Sequence, residues 1–305
     1  MDISRDVEYR GFLLNDETMS ITPGGGIGSG ISGCVLDSCD LSDVDVVQFT
    51  EKRSLSDGMD AGDVYMGGRR VRMAGTLYAV TKALLFDSLQ ELRDALSPTL
   101  AFRESPGDKG YLPLYFSVPT NRLADYPAGA IALRVLAMPR AFQAIIQKDH
   151  IGDDDAAALA VPWQATLVMR DPRIMSAEPQ DISFTTGGTH TQTGDLVNRG
   201  SYHCPLNMLI SVTSAAGTIT CQMGGSVFTI TVPSSTGARL IRYNGEEKVL
   251  TVEEADVEAL RMDLLTFQQQ TTHPLVPGGT SEFSVTFTGV TVQSGSHLWF
   301  WESYA

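Results

Sequence analysis

The clearest alternation of polar and apolar residues in the first half of the chain lies between residues 70 and 80. Three apolar positions fall on one side of an extended backbone and three polar positions mostly on the other: Val71, Met73 and Leu77 against Arg70, Arg72 and Thr76. This period of two predicts a half-buried strand. Gly75 interrupts the alternation, which is typical of a bulge or of a close approach by another part of the chain.

An amphipathic helix is predicted directly after this strand, over residues 82–96. Its apolar positions recur every three or four residues and form a single stripe: Leu85, Leu89, Leu92 and Leu96. Thr81 supplies the side-chain oxygen that caps the first turn, and Ser97-Pro98 ends the helix because proline cannot continue it. The stripe has to be covered, so we expect the helix to pack against surrounding β structure.

Short apolar or alternating segments, bounded by Pro, Gly or Asp, make up most of the remaining first half. They predict strands at Tyr9–Leu14, Val46–Arg53, Thr99–Arg103, Leu112–Val118, Ile131–Met138 and Trp163–Arg170. Ala141 to Ile146 fits either a strand or a helical turn. Residues 54–67 contain Asp57-Gly58 and Gly62, and they predict a protruding hairpin or arm.

From Ile182 onward the composition shifts to Thr, Ser, Gly and Val, with closely spaced strand patterns separated by turn residues. The predicted strands are Asp181–Thr186, Met208–Ala215, Gly217–Met223, Ser226–Val232, Arg239–Tyr243, Lys248–Val252, Glu282–Phe287 and His297–Trp301. Asn244-Gly245 is the strongest hairpin signal of the chain. About eight short strands around one core predict a β-sandwich or jelly roll.

The chain has 305 residues, which favours two domains because single cores rarely extend beyond roughly 250–300 residues. The composition shift places the boundary between Arg173 and Gln180, with domains at residues 1–175 and 180–305. The predicted fold class is mainly β: an all-β chain with one short helix.

Composition and charge argue against several classes of function. With 22 basic and 36 acidic residues the formal net charge is -14. Nucleic acid is therefore not an expected partner, because neutralising phosphates needs clustered Lys and Arg. No apolar run approaches the ~20 residues that span a bilayer, so a membrane is not an expected partner either. The polar, acidic start at Met1–Asp6 lacks a secretory pattern, which predicts synthesis in the cytoplasm.

The sequence lacks a catalytic, metal-binding or cofactor-binding signature. The glycine-rich segment 23–33 lacks the buried strand, the following helix and the Gly-Lys-Ser/Thr ending of a phosphate loop, and it predicts a flexible connection. His150 with Asp153–Asp155 lacks the ligand spacing of an EF-hand and predicts an exposed acidic turn. The cysteines are too few and scattered for a disulfide framework and predict free thiols: Cys34, Cys39, Cys204 and Cys221. We expect no enzyme, no metal site and no cofactor.

Trp299 and Trp301 are separated by one residue, so on a strand they share a face. Two interpretations are open. The rings fit a core strand or a domain interface, and they also fit a platform on which a sugar ring stacks.

The front half resembles the N-terminal domain of the siphophage distal tail protein (Dit) family. The resemblance rests on the order of Asp57-Gly58, Gly67-Gly68-Arg69, the Arg-rich strand, Gly75 and the leucine helix. Residues 162–173, which end in Asp-Pro-Arg, are similar to the strand that closes this domain in the family.

The back half continues the resemblance in the same order. Asn198-Arg199-Gly200, with Pro205 and Ile210 after it, is similar to the opening of the family's galectin-like domain. Residues 273–278 resemble the turn before its last strands, and residues 298–304 resemble its aromatic closing strand. The resemblance therefore spans almost the whole chain.

This resemblance implies a structural protein of the virion, located at the phage tail tip and synthesised in the host cytoplasm. It implies a β-barrel-like N-terminal domain that assembles into a homohexameric ring, with a galectin-like β-sandwich hanging outward. By the same resemblance, the ring joins the tail tube protein to the tail hub, or tail-associated protein, of a siphovirus baseplate. Receptor-binding or fibre proteins are further implied partners in host attachment.

Closing a ring requires a head-to-tail contact between copies, and the predicted arm is placed to add strands to a neighbour's sheet edge. The expected interface residues are Asp57, Gly58, Gly62, Tyr65, Arg69, Arg70 and Arg72. Two alternatives stay open. One is a carbohydrate-binding accessory module that uses Trp299 and Trp301 for host attachment, and the other is a different tail component, tube or hub, built on the same barrel.

Overall fold

A computed structural model shows two compact units, Met1–Ile174 and Met175–Ala305. It describes residues 5–15, 21–22, 26–27, 32–41, 46–52, 59–66, 69–106, 109–121, 124–126, 128–146, 159–169, 171, 173–202, 204–213, 216–223, 226–234, 237–245, 248–269, 275 and 278–304. Almost all regular structure is antiparallel β, so the mainly-β fold class is confirmed.

The first unit is built on one curled sheet. Its elements are β1 (Arg5–Tyr9), β2 (Phe12–Asn15), β3 (Ile21–Thr22), β4 (Gly26–Ile27), β5 (Ser32–Leu41), β6 (Val46–Lys52), β7 (Met59–Met66), β8 (Arg70–Ala79), α1 (Lys82–Ala95), α2 (Pro98–Glu104), β9 (Leu112–Pro119), β10 (Ala130–Ala144) and β11 (Leu159–Met169). The strand order is β2-β1-β9-β10-β11-β8-β5. The two end strands meet, because the Leu36 amide donates to Asn15 Oδ1 at 3.1 Å, so the sheet closes on itself like a barrel.

The alternation predicted for β8 is confirmed: its apolar residues are buried and its arginines are exposed. Gly75 marks a close approach, as the sequence predicts. A Cβ at this position would lie 2.5 Å from the Val35 carbonyl oxygen and 2.9 Å from the Trp163 ring. The Trp163 indole in turn donates to Cys34 Sγ at 3.0 Å. Gly75 therefore allows the indole to cross the sheet interior without displacing β5.

Helix α1 occurs where it is predicted, and Thr81 caps it by accepting a hydrogen bond from the Leu84 amide. Its stripe, including Leu89 at 2% exposure, packs against β8, β5, β11 and β2. The helix thus covers both end strands of the curled sheet.

The expectation of one helix is wrong, because α2 follows α1 directly in the segment predicted as strand Thr99–Arg103. Ser97 accepts a hydrogen bond from the Leu100 amide, and Pro98 occupies the first turn. Proline is favoured there because its missing N–H is not needed. Ser97-Pro98 therefore ends one helix and begins the next.

Two more segments differ from the prediction. Residues 9–14 form a hairpin rather than one strand, because Arg10 and Gly11 have φ values of 52° and 75°, typical of a two-residue type I′ turn. Strand β5 has no predicted counterpart, although it pairs with β8 along most of its length. Strand β10 extends through Ala144, so the strand alternative holds for residues 141–144.

Two small hairpins belong to the first unit but pair with no other described strand. Strands β3 and β4 flank part of the glycine-rich segment. Strands β6 and β7 form a longer hairpin in which Val46 lies opposite Met66 and Lys52 opposite Met59. The acidic segment at 150–155 lies outside the described residues.

The second unit is a sandwich of two antiparallel sheets. Strands β12 (Ile174–Ser176, which spans the unit boundary) and β25 (Ser303–Tyr304) pair with each other outside these two sheets. The sandwich strands are β13 (Gln180–Ser183), β14 (His190–Asn198), β15 (Asn207–Thr213), β16 (Gly217–Met223), β17 (Ser226–Val232), β18 (Ala238–Asn244), β19 (Val249–Glu254), β20 (Val257–Leu260), β21 (Leu265–Gln269), β22 (Gly279–Thr288), β23 (Thr291–Val292) and β24 (His297–Phe300). One sheet has the order β13-β24-β15-β18-β19-β20, and the other β14-β22-β16-β17-β21.

The inner faces of both sheets form one apolar core. Phe228 of β17 contacts Tyr243 of β18 across it, with ring centroids 4.7 Å apart. Burial raises the pKa of Tyr243 to about 12. The sandwich prediction is thus confirmed at the level of architecture.

The Asn198–Gly200 motif has a structural role in this unit. Asn198 is 1% exposed, accepts a hydrogen bond from the Gly200 amide and donates one to the Tyr202 carbonyl. A Cβ at Gly200 would lie 2.2 Å from the Ser303 carbonyl oxygen. The motif therefore fits a tight turn against the C-terminal strand.

Candidate subunit interface

The three arginines of the predicted interface do not share one face. Arg70 and Arg72 lie on the exposed side of β8, whereas Arg69 has the parity of the buried residues. The Nε atom of Arg69 is buried and has no hydrogen bond among the described residues. Only Arg70 and Arg72 can therefore face a neighbour together.

Arg72 lines a groove on the outer side of the curled sheet, with a volume of about 530 Å³. The groove crosses four neighbouring strands, β10, β11, β8 and β5, in that order. Polar side chains from each strand contribute to its lining: Gln143, Gln164, Thr166, Arg72 and Ser38.

Two irregularities in strand register explain where the groove lies. Strand β5 has a bulge between Leu36 and Ser38, opposite β8, and β10 has one between Pro139 and Ala141, opposite β11. Bulges bend a strand and increase its local twist. Small side chains, Ala74 and Ala141, line the space between them.

The groove offers one cation and several hydrogen-bonding groups. Gln164 donates to Gln143 across β10 and β11 at 2.9 Å, which holds both amides in place. Arg72 lies opposite Thr166 on one side and Asp40 on the other, but the described residues give its guanidinium no hydrogen bond or ion pair. A carboxylate is the natural ligand for this group, since guanidinium donors match carboxylate geometry.

The predicted arm, residues 54–67, includes β7, which forms a hairpin with β6. Gly62 and Tyr65 are in β7, whereas Asp57 and Gly58 lie outside the described residues. Among the described strands, β7 pairs only with β6.

Trp299 and Trp301 lie half-exposed, alternating with the buried Leu298 and Phe300. Trp299 therefore lies on the outer side of the sheet, whereas Trp301 follows the end of β24 and its Nε1 atom is buried. Trp299 contacts the His297 ring, with centroids 4.9 Å apart, and His297 Nδ1 lies 2.7 Å from Asp181 Oδ2.

The described cysteines are core residues. All four are buried and free. Burial raises the pKa of the Cys34 and Cys39 thiols to about 12, so they stay protonated near neutral pH. Among the described residues, no group of His, Cys, Asp and Glu is arranged to hold a metal ion. The described helices include none that is long and apolar enough to cross a membrane.

Comparison with solved structures shows the fold. The Dit protein of phage SPP1, a paradigm of the hub adsorption apparatus in phages that infect Gram-positive bacteria, matches with a TM-score of 0.52 and 13% identity. The match covers 98% of this chain and 99% of that chain.

Two structures of the activated phage P2 baseplate also match. The calcium form has a TM-score of 0.36 and 6% identity over 84% of this chain and 90% of that chain. The strontium form has a TM-score of 0.41 and 4% identity over 88% and 90%. No family model matches the sequence, and no curated protein sequence matches it. The resemblance to the Dit family is confirmed at the level of fold: across nearly its whole length, this chain has the all-β fold of a siphophage distal tail protein.

Proposed function

We propose that this protein is a structural subunit of a phage tail tip. Copies of the first unit assemble into a ring, by resemblance a hexamer, that joins the tail tube to the central hub. The observation that carries the proposal is the full-length fold match to SPP1 Dit, a protein of a hub adsorption apparatus. The proposed role is non-enzymatic and the proposed location is the virion.

The surface of the first unit supports assembly. A closed ring needs two different surfaces on each copy. The outer groove with Arg72 and the unpaired β6–β7 hairpin supply two such surfaces. Arg72 in the groove is exposed, and the hairpin pairs with no other described strand, which supports contacts of both with a second copy.

Negative-stain electron microscopy of the purified full-length protein tests this proposal. We expect single closed rings with sixfold symmetry. Stacked rings or tubes would instead favour a tail tube component. Monomers at micromolar concentration would contradict the ring.

Location and partners need a separate measurement. Gold-labelled antibody against the second unit should mark one end of the tail in virions that contain this protein, with label at the tip. Label along the tail, or at the capsid, would contradict a tail-tip position and the proposed contacts with tube and hub.

A second candidate function is carbohydrate binding by the second unit. It is favoured by the position of Trp299, whose ring lies half-exposed beside His297 on the outer side of the sheet. Aromatic rings with one open face stack on the apolar face of sugars. Glycan-array binding by the full chain, lost in Trp299→Ala and kept in Phe86→Ala, would support it, whereas an array with no binding would leave only the structural role.

A further inference from the structure

Asn244-Gly245 is the only place in the sequence where an asparagine is followed by glycine. Asparagine is a chemically labile residue, because the backbone nitrogen of the next residue can attack its side-chain amide. A glycine in the second position has no side chain that would hinder this attack. Asn244 is therefore the asparagine of this sequence that is most prone to lose its amide.

The structure does not use this pair as a two-residue turn. Asn244 is the last residue of β18 and lies opposite Val249 of β19. Gly245 lacks the positive φ that a type I′ turn requires. A Cβ at Gly245 would lie 2.0 Å from the Leu206 carbonyl oxygen. Glycine is required here because its backbone packs directly against that of Leu206.

One side chain holds the nitrogen that would attack. The Gly245 amide donates a hydrogen bond to Asn207 Oδ1 at 3.2 Å, and Gly245 is buried whereas Asn244 is exposed. Asn207 begins β15, which pairs with β18, so the sheet positions the acceptor. While this bond lasts, the Gly245 amide keeps its proton and cannot turn toward the Asn244 side chain.

We propose that Asn244 is a deamidation site and that Asn207 slows the reaction in the folded protein. In this reaction the Gly245 nitrogen loses its proton and bonds to Cγ of Asn244. Ammonia leaves, taking up that proton, and a five-membered succinimide ring remains. Water then opens the ring at either carbonyl, which yields aspartate or isoaspartate. Water is the only further reactant.

The isoaspartate product would disturb the second unit at this point. It adds one carbon to the backbone between residues 244 and 245, where the contact with Leu206 leaves no room. Both products add a negative charge close in sequence to Glu246 and Glu247. We therefore expect the end of β18 to separate from β19. A virion cannot replace its proteins, so under the proposed function such damage accumulates with the age of the particle.

Peptide mass spectrometry of the full-length protein, incubated at mildly alkaline pH, tests both parts of the proposal. Asn207→Leu removes the acceptor, whereas Asn207→Asp keeps an acceptor oxygen and is the matched control. We expect Asn244 to convert about fivefold faster in Asn207→Leu than in the wild type, the factor that corresponds to one hydrogen bond of about 1 kcal/mol. Asn207→Asp should convert at the wild-type rate. Asn121, an exposed asparagine followed by arginine, is the internal reference.

Two further samples separate the role of Asn207 from general unfolding. Glu302→Gln weakens the second unit away from Gly245, and it should leave the rate at Asn244 unchanged. Equal acceleration in Glu302→Gln and Asn207→Leu would overturn the role of Asn207. Wild-type protein in denaturant should convert Asn244 faster than the native protein does.

The denatured sample also tests the site without any variant. Equal native and denatured rates at Asn244 would overturn its protection by the fold, and an Asn244 that stays intact in denaturant would overturn the site itself. These measurements follow single residues and do not depend on ring formation, so their failure is distinct from a failure of the proposed function.

Discussion

The two units differ in whether an arginine on the outer face of a sheet has an ion-pair partner within the chain. In the second unit, Arg242 pairs with Glu253 at 2.7 Å and with Glu258 at 3.3 Å. Thr251 adds a hydrogen bond to Glu258 at 2.7 Å. In the first unit, the described residues leave Arg72 without a hydrogen bond or ion pair, in a groove. Arg242 is thus paired within its own chain, whereas Arg72 is open to an ion pair with a neighbouring molecule.

The difference extends to buried charge. Glu302 of the second unit is 2% exposed, and it accepts hydrogen bonds from Arg199 at 3.1 Å and from the Tyr304 hydroxyl at 2.6 Å. Its backbone exchanges hydrogen bonds with Ser176. The buried Glu302 carboxylate is therefore paired within the second unit. We infer that assembly is a property of the first unit, and four predictions test this contrast.

The largest effect is expected in the core of the first unit. Leu89→Asp places a carboxylate under α1, where Leu89 is 2% exposed, and it should cost more than about 3 kcal/mol because the charge has no partner there. Calorimetry should lose the transition of the first unit and keep that of the second. Phe86→Asp is the matched control, since Phe86 of the same helix is 50% exposed. Equal behaviour of both variants would mean that α1 does not cover the sheet.

Glu302→Gln should have the next largest effect on the free energy of unfolding. It weakens the bonds to Arg199 and Tyr304, at a cost of about 1–3 kcal/mol because charge-assisted hydrogen bonds are lost. The transition of the second unit should shift to lower temperature, while ring assembly persists. Loss of rings in this variant would mean that the second unit takes part in assembly.

Reversing the charge of one arginine in each unit compares the roles of Arg72 and Arg242 in assembly and stability. Arg72→Glu should abolish rings and lower unfolding stability by about 1 kcal/mol or less, because the exposed Glu would lie opposite Asp40 on β5. Arg242→Glu should keep rings and destabilise the second unit by about 1 kcal/mol or less, because its ion pairs are partly exposed. Lys109→Glu, an exposed turn residue of the first unit, controls for net charge. Intact rings in Arg72→Glu would show that the groove is not part of the interface between copies.

The smallest effect at neutral pH concerns the buried thiols. Burial raises the pKa of Cys34 and of Cys39 from 9.0 to about 12, so the folded state favours the protonated form. Their contribution to stability is complete below pH 9 and is lost as pH rises toward 12. Replacing both by Ala should flatten the alkaline dependence of the first unit's transition and leave that of the second unit unchanged. If the stability of the first unit depended on alkaline pH equally in the double Ala variant and the wild type, groups other than Cys34 and Cys39 would cause that dependence.

Local patterns predict much of this fold but little of the groove. Helix α1 and its Thr81 cap follow from leucine spacing and one cap residue, and the strand bounds Gly217–Met223 and Ser226–Val232 are confirmed. Helix α2 is not predicted, because the pair Ser97-Pro98 that ends α1 also begins α2. Strand β5 is not predicted from the sequence, because it follows a glycine-rich segment and its alternation is interrupted by a bulge.

The groove has no local signal because its parts are distant in sequence. Ser38, Arg72, Gln143 and Gln164 meet only through strand order and two bulges, and neither can be derived from the alternation within one strand. Of these groove residues, only Arg72 is among the predicted interface residues, as part of the Arg-rich segment beside the arm. The two glutamines and Ser38 are found only in the structure.

Native mass spectrometry of the full-length protein tests the central claim most directly, because it counts copies without reference to shape. We expect one species with six times the chain mass of 32.9 kDa, converted by Arg72→Glu to single chains and left unchanged by Arg242→Glu. A wild-type spectrum that contains only single chains, or an Arg72→Glu spectrum that still shows six, would contradict the claim that the first unit's outer face joins copies of this chain.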